Sequence, residues 1–122
     1  PISRGWKTFT QDEEPYYNNY FGPDGNRMVP NVTALATAML PPEKAQREVV
    51  AWCVERADGG RGFAIVMPHF YRNWGQEDFR RFVLNGIVWS ARCEVPRGGV
   101  KTDPPDLAAF GAAAVQAQPR KP

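Results

Sequence analysis

Hydrophobic residues follow a strand-like pattern in the middle of the chain. Residues 49–56, VVAWCVER, are apolar at nearly every position until Glu55, which is typical of a strand covered on both faces. The run RGFAIVM at 61–67 returns after ADGG at 57–60, whose glycines can adopt positive φ. Two apolar runs joined by a short glycine turn predict a β-hairpin.

A helical period follows this hairpin, and we expect one helix over about residues 74–92. Its predicted buried face repeats at i, i+3, i+4, i+7, i+8 and i+11. The residues on that face are Phe79, Phe82, Val83, Gly86, Ile87 and Ser90. Arg80 and Arg81 fall on the opposite side, so we expect both in solvent.

The start of this helix carries a capping pattern. Asn73 is the predicted N-cap, and Gln76, three residues on, is its capping-box partner. Glu77 and Asp78 then place negative charge in the first turn, where the helix dipole favours it.

The beginning of the chain is less regular. Residues 1–31 are rich in turn formers, and their aromatic residues predict an irregular segment packed onto the rest of the protein. Those aromatics include Tyr16, Tyr17, Tyr20 and Phe21. Residues 31–40, NVTALATAML, predict a strand, and residues 41–48 form a polar connector.

Three strands and one helix leave apolar surface without cover, because strands buried on both faces need helices on each side. We therefore expect the C-terminal part of a larger α/β domain, or a chain that pairs with a second copy. The expected domain spans residues 1–105, and residues 106–122 form a tail with weak helical character and a disordered end. A start at Pro1, without a signal-peptide pattern, is expected of a processed or excised chain.

Composition and charge limit the classes of partner that the chain is expected to bind. The formal net charge is +2, from 15 basic and 13 acidic residues, and the basic residues are scattered, which argues against a nucleic-acid surface. No apolar run approaches the ~20 residues that span a bilayer.

The spacing of Cys53 and Cys93 matches no zinc motif and favours two reduced, mostly buried thiols, with a disulfide as the alternative in an exported chain. Cytoplasmic and exported locations both stay open.

The one histidine, His69, stands directly after the apolar run, ahead of the predicted helix. An imidazole there could act as a general base, a metal ligand or a hydrogen-bond donor to a sugar hydroxyl. Its alternative role is to tether the loop. In DEEPYYN, carboxylates beside tyrosines favour a sugar site, with paired acids suited to glycoside hydrolysis. The alternative is a solvated acidic loop anchored by its tyrosines.

Further candidates flank the helix start. Asn73 could contact a ligand instead of capping the helix, and Trp74 could stack on a sugar or lie buried. Arg61 is expected to pair with a surface acid. Glu13 and His69 could together bind a divalent metal, but two ligands are too few to predict a metal site.

Four segments follow one another in the chain: PISRG, DEEPYYN, VAWCVERADGGRGFAIVMPHFYRNW and DFRRFVLNGIVWSARCEVPRGGV. In this collinear order they resemble the trehalose-utilisation (ThuA-like) family over about residues 1–105. The strongest part covers residues 52–100. Where the family has a Gly-Gly-His junction, this chain has Met67-Pro68-His69, and Pro68 has no backbone N–H.

The resemblance implies the C-terminal part of a class I glutamine amidotransferase-like (flavodoxin-like) three-layer sandwich, with a β-hairpin followed by a long helix. It implies a role in sugar metabolism, with His69 and Glu13 as catalytic candidates and Tyr17, Asn73 and Trp74 as substrate contacts. Association with an N-terminal half, or a homodimer, would complete the fold. The alternatives are a non-catalytic carbohydrate-binding or assembly module and a structural half-domain that dimerises.

Glutaminase activity is not expected of this chain, because that chemistry needs a cysteine on a strained strand-to-helix turn. Cys53 is predicted in mid-strand and Cys93 after the helix.

Overall fold

The computed structural model describes residues 1–110, which form a small mixed α/β domain. Its three strands form one antiparallel sheet in the order β1-β2-β3, and one α-helix, α1, follows them. These elements are β1 Val32–Leu40, β2 Gln46–Glu55, β3 Arg61–Ile65 and α1 Glu77–Ser90. Short 3₁₀ helices lie at Pro42–Lys44, Tyr71–Gly75 and Leu107–Phe110.

The predicted β-hairpin is confirmed as β2 and β3. Its turn is closed by the Arg56 N–H, which donates to Gly60 O at 2.9 Å, and by Asp58 Oδ1, which accepts from the Gly60 N–H at 2.9 Å. Gly59 has φ +81°, a conformation that L side chains rarely adopt, so a glycine is required there. The turn chemistry of ADGG therefore accounts for the hairpin's register.

The predicted strand at 31–40 is confirmed as β1, which pairs with β2 from Val32↔Val54 to Leu40↔Gln46. The register shifts around Ala36, where the strand carries a bulge. Among the described strands β1 and β3 are the two edges of the sheet.

The helix is confirmed, but its start is later than predicted. Asn73 is not the N-cap; it lies in the 3₁₀ helix, and Gln76 occupies the cap position without a side-chain cap bond. The Asn73 amide instead donates to Asp12 O and to Glu13, and the Gln76 amide donates to Thr10 O. Both side chains therefore bond to residues distant in the chain and do not form the predicted capping box.

The predicted buried face of α1 is confirmed at its centre and is wrong at one flank. Phe79, Phe82, Val83 and Gly86 are buried in the core as predicted. Ile87 is 56% exposed, because no segment among residues 1–110 covers that flank.

The prediction that Arg80 and Arg81 lie in solvent is also partly wrong. Arg80 is only 6% exposed, and its guanidinium donates to Trp74 O at 2.8 Å. Arg81 has a side chain only 13% exposed and pairs with Glu77. The carbonyls and carboxylates of neighbouring turns therefore hold both cations close to the protein.

The N-terminal segment is irregular as predicted, but most of its tyrosines do not pack. Tyr16 and Tyr20 are 74% and 76% exposed, and Tyr17 is 49% exposed. Phe21 does pack, with its ring edge-on to Trp52 at 5.0 Å between centroids. Earlier in the chain, Ile2 is buried in the core. Of the four aromatic residues Tyr16, Tyr17, Tyr20 and Phe21, only Phe21 therefore packs onto the rest of the protein as predicted.

Among residues 1–110, one core lies between α1, the sheet, the N-terminal segment around Ile2 and the loop after α1 around Val95. Its buried hydrophobic residues are Ile2, Val50, Ala51, Cys53, Met67, Phe79, Phe82, Val83, Trp89 and Val95. The second face of the sheet, which carries Val50, Trp52 and Val54, is covered only in part, since Val50 is buried whereas Trp52 and Val54 are half-buried. The predicted burial of both faces of β2 is thus met only in part.

The cysteine prediction holds for one residue. Cys53 is buried in β2, whereas Cys93 is exposed after α1, and both are free thiols. Residues 111–122, most of the predicted tail, lie outside the described residues. Among residues 1–110, no helix is long and apolar enough to cross a membrane.

Candidate functional site

Glu13 is held against the loop that follows β3. Its two carboxylate oxygens both accept from the Phe70 N–H at 3.1 Å, and Oε2 also accepts from Asn73 Nδ2 at 2.9 Å. These partners lie 57 and 60 residues away in the chain. The structure thus joins two segments that the sequence marked separately as candidate sites.

Neighbouring contacts reinforce this junction. Arg72 pairs with Asp12 at 2.7 Å, and its guanidinium carbon lies 4.2 Å from the centroid of the Phe70 ring. Further along, the Tyr16 N–H donates to Val66 O at 3.2 Å. Residues 12–16 therefore run alongside the chain that leaves β3 and are held there by backbone and charged hydrogen bonds.

His69 lies on the outer side of this junction. Its Nε2 is 3.7 Å from Glu14 Oε2, and the two side chains are 62% and 66% exposed. The imidazole ring meets Phe70 edge-on at 4.9 Å. An ion pair at this exposure is screened by water and contributes little to stability. The imidazole is therefore accessible to a molecule arriving from solvent.

The other two predicted substrate contacts, Trp74 and Tyr17, have different surroundings. Trp74 is half-buried, with its ring 5.0 Å from Phe79, and it borders a small cavity of about 200 Å³ with Tyr71, Pro105 and Leu107. Tyr17 is about half exposed. Trp74 therefore serves mainly as a packing residue.

A larger cavity of about 650 Å³ lies between residues 6–15 and β1, and sequence reasoning missed it. Its aromatic and aliphatic lining includes Trp6, Phe9, Leu35, Met39, Leu40 and Met67. Its polar lining is Thr8, Thr10, Gln11, Asp12, Glu13 and Thr37. The clustering of two aromatic and two hydroxyl residues in WKTFT, residues 6–10, was the signal that could have suggested it.

Glu13 belongs to the lining of this cavity, whereas His69 does not. The carboxylate thus connects the two places where a ligand could bind: the exposed rim at His69 and the cavity under residues 6–15.

Two buried polar residues were also missed by sequence reasoning. Glu48 is 5% exposed and accepts hydrogen bonds from the Asn18 N–H at 3.0 Å and Gln46 Nε2 at 2.7 Å. Asn85 is fully buried and bonds to the carbonyls of Ile2 and Arg4 and to the Val100 N–H. Both residues hold irregular segments onto the regular elements.

The Cys53 thiol is not placed as an activated nucleophile. Burial raises the pKa of the Cys53 thiol, and the nearby Glu55 carboxylate raises it further. A raised pKa leaves less thiolate, so Cys53 lacks the activation that a nucleophile needs. Within residues 1–110, no three His, Cys, Asp or Glu side chains lie close enough together to hold a metal ion.

No protein-family model, no curated protein and no solved structure matches this chain.

The chemistry open to the site follows from its geometry. Glu13 has its oxygens engaged by N–H donors, so it orients the loop and the His69 backbone rather than offering a free carboxylate. His69 and Glu14 are the exposed pair at the rim, and the imidazole can donate a hydrogen bond to a ligand.

Proposed function

We propose that this chain is a ThuA-like protein of carbohydrate utilisation that binds or transforms a sugar derivative beside the His69 loop. The observation that carries the proposal is the contact between Glu13 and the Phe70 N–H. The two segments that carry the family resemblance near this site, DEEPYYN and PHFYRNW, meet through it. In this proposal Glu13 positions the loop, and His69 supplies the proton-transfer or hydrogen-bonding group.

The finer fold assignment is part of this proposal. A flavodoxin-like three-layer sandwich would add strands beyond the sheet described above and a helix over its second face. Two features support it: Ile87 on α1 is 56% exposed, and Trp52 and Val54 on the second face are only half-buried. Apolar surface of this kind favours a further covering layer.

A titration with neutral disaccharides, trehalose first, tests the function. Binding is followed by calorimetry and turnover by product analysis, on the wild type and on His69→Ala. Loss of turnover with binding retained supports an enzyme, and loss of both supports a binding role for His69. Unchanged binding and turnover would remove His69 from the site. Lys101→Ala, an exposed charge outside the junction, serves as the control.

A non-catalytic carbohydrate-binding or assembly module is the first alternative. Pro68 favours it, since the residue ahead of His69 offers no N–H to stabilise a developing negative charge. Saturable sugar binding without any product would favour this alternative.

A structural half-domain that dimerises is the second alternative, and the free edge of β3 favours it. The Val66 N–H bonds to Val50 O, and the Arg56 N–H bonds to Gly60 O, at the two ends of the hairpin. Because antiparallel pairing alternates, the N–H and C=O groups of Phe63 and Ile65 point away from β2. No strand among residues 1–110 pairs with them.

A second copy could pair antiparallel along this edge about a two-fold axis through Phe63, which would also bring exposed Ile87 side chains towards each other. Light scattering tests this. We expect a dimer that Ile87→Glu converts to a monomer, while Tyr20→Glu, at another exposed hydrophobic residue, leaves it dimeric. A monomeric wild type would contradict this alternative.

A further inference from the structure

We infer that Asn31, in the turn that leads into β1, is the acceptor of an N-linked glycan. This modification belongs to exported chains, and the sequence leaves an exported location open. The inference goes beyond the proposed function and does not depend on it, because it concerns a surface turn and not the His69 loop.

The residues Asn31-Val32-Thr33 form the acceptor pattern for this modification. The pattern requires an asparagine, then any residue except proline, then a serine or threonine. The asparagine amide is the group that becomes glycosylated, and the transferase recognises the hydroxyl two residues on. Val32 meets the requirement at the middle position.

The reaction is a glycosyl transfer from an oligosaccharide that is linked through pyrophosphate to a membrane lipid. Asn31 Nδ2 forms a bond to C1 of the first sugar, while the bond between that carbon and the pyrophosphate oxygen breaks. The lipid pyrophosphate leaves with the bonding electron pair, and the amide nitrogen loses one proton. Nothing is oxidised or reduced, so the chain has to supply only an accessible amide and the hydroxyl beside it.

The backbone holds Asn31 in a tight turn at the surface. The Val32 N–H donates to Val29 O at 3.0 Å. Pro30 and Asn31 are therefore the two central residues of this turn. Asn31 O accepts from the Glu55 N–H at 3.2 Å, which attaches the turn to the end of β2. Proline and asparagine both favour turns, so the local sequence accounts for this conformation.

The two side chains that the reaction uses are available. Asn31 and Thr33 are both exposed, and neither the amide nor the hydroxyl has a hydrogen-bond partner among residues 1–110. A transferase can therefore engage them without breaking a side-chain contact of the fold. Neither residue lines the two cavities described above, so a glycan attached here would leave both open.

The other asparagines do not combine these properties. Of the six asparagines in the sequence, only Asn31 has a serine or threonine two positions on. Asn73 and Asn85 are buried, and their amides bond within the fold. Asn26 is exposed, but Met28 stands where the hydroxyl is required. The acceptor pattern thus coincides with an exposed and unbonded asparagine.

The position of Asn31 at the edge of the sheet also suits a glycan. Among the described strands β1 is an edge, and its nine residues include no charged residue and no proline. Edge strands without such residues tend to pair with other chains unless something covers them. A hydrophilic glycan on Asn31, one residue before β1, would cover the start of this edge.

The first test uses the full chain isolated from its natural source. Trypsin cleaves after Arg27 and Lys44, so residues 28–44 form one peptide in which Asn31 is the single asparagine. Peptide N-glycosidase, used in water enriched in heavy oxygen, converts a glycosylated Asn31 to an aspartate that carries the label. We expect mass spectrometry to find this peptide glycosylated before the treatment and labelled after it.

The second test separates the parts of the acceptor site. The full chain is secreted from eukaryotic cells behind a cleavable export signal, and its gel mobility is compared before and after treatment with peptide N-glycosidase. The wild type and Asn26→Gln, at an exposed amide outside the pattern, should both shift by the mass of one glycan. Asn31→Gln and Thr33→Ala should lose this shift, whereas Thr33→Ser, which keeps the hydroxyl, should retain it.

Three results would overturn the inference. An unmodified peptide of residues 28–44 in the natural protein would show that Asn31 is not an acceptor. A secreted wild type without a glycan would show that the transferase does not reach the turn. A shift that persists in Asn31→Gln would place the acceptor elsewhere. None of these results concerns sugar binding beside His69, so a failure here is distinct from a failure of the proposed function.

Discussion

The Asn73 amide donates to the Glu13 carboxylate at 2.9 Å across 60 residues of chain. The sequence predicts Asn73 as a helix cap or a ligand contact, and Glu13 as a catalytic candidate together with His69. Their contact changes both roles, because each side chain is used to hold the N-terminal segment against the loop after β3.

Glu13→Ala should lower the free energy of unfolding by about 2 kcal/mol, because the Phe70 N–H and the Asn73 amide lose a charged acceptor at a partly buried site. Urea denaturation measures the change. Glu14→Ala is the matched control, since this neighbouring carboxylate is 66% exposed and should have little effect. Equal effects of the two variants would show that the junction does not stabilise the fold.

Gly86→Ala should destabilise the protein by about 1–3 kcal/mol in spite of alanine's higher helix propensity. A Cβ at Gly86 would lie 2.4 Å from a ring carbon of Phe63, so the ring or the helix would have to move. Thermal melting provides the measurement. Gly98→Ala, where a Cβ meets nothing within 4 Å, should melt close to the wild type. A Gly86→Ala protein as stable as the wild type would mean that α1 lies further from β3.

Asn85→Ala should cost about 3 kcal/mol, because it leaves the carbonyls of Ile2 and Arg4 and the Val100 N–H without their partner at a buried position. Amide hydrogen exchange should show faster exchange at Val100 in particular. Asn26→Ala, at an exposed asparagine, should leave both stability and exchange unchanged. Retained protection of Val100 in Asn85→Ala would argue against this anchoring role.

Cys93 should react with a thiol reagent well before Cys53, because Cys93 is exposed whereas Cys53 is buried and has a raised pKa. Mass spectrometry of the labelled peptides gives the order. Faster labelling of Cys53 would mean that β2 opens more readily than its burial indicates.

The raised pKa of Cys53 also predicts a pH dependence. A thiol whose pKa is higher in the folded than in the unfolded state stabilises the fold below the unfolded value of ~8.5, and this stabilisation is lost as pH rises through the folded pKa. The free energy of unfolding, measured with urea, should therefore fall more steeply for the wild type than for Cys53→Ala as the pH rises above that value. Parallel curves for the two proteins would contradict the shift.

Local patterns were sufficient for the regular elements. ADGG determines the turn of the hairpin through Gly59 at φ +81°, and the spacing from Phe79 to Gly86 determines the centre of the buried helix face. These signals act between residues a few positions apart, so they can be read from the chain directly. The sequence also marks Glu13 and His69 as candidates, which stay predictions, but it does not give their surroundings.

Only the tertiary structure decided which surfaces are covered and which side chains meet. Arg80 is buried and Ile87 exposed, against the helical period, because cover depends on what lies beside α1. The Gln76 amide bonds to Thr10 O, and the cavity beside β1 is lined jointly by residues 6–15 and by that strand. Contacts between residues so far apart in the chain leave no periodic trace in the sequence, since they depend on how whole segments pack rather than on neighbouring residues.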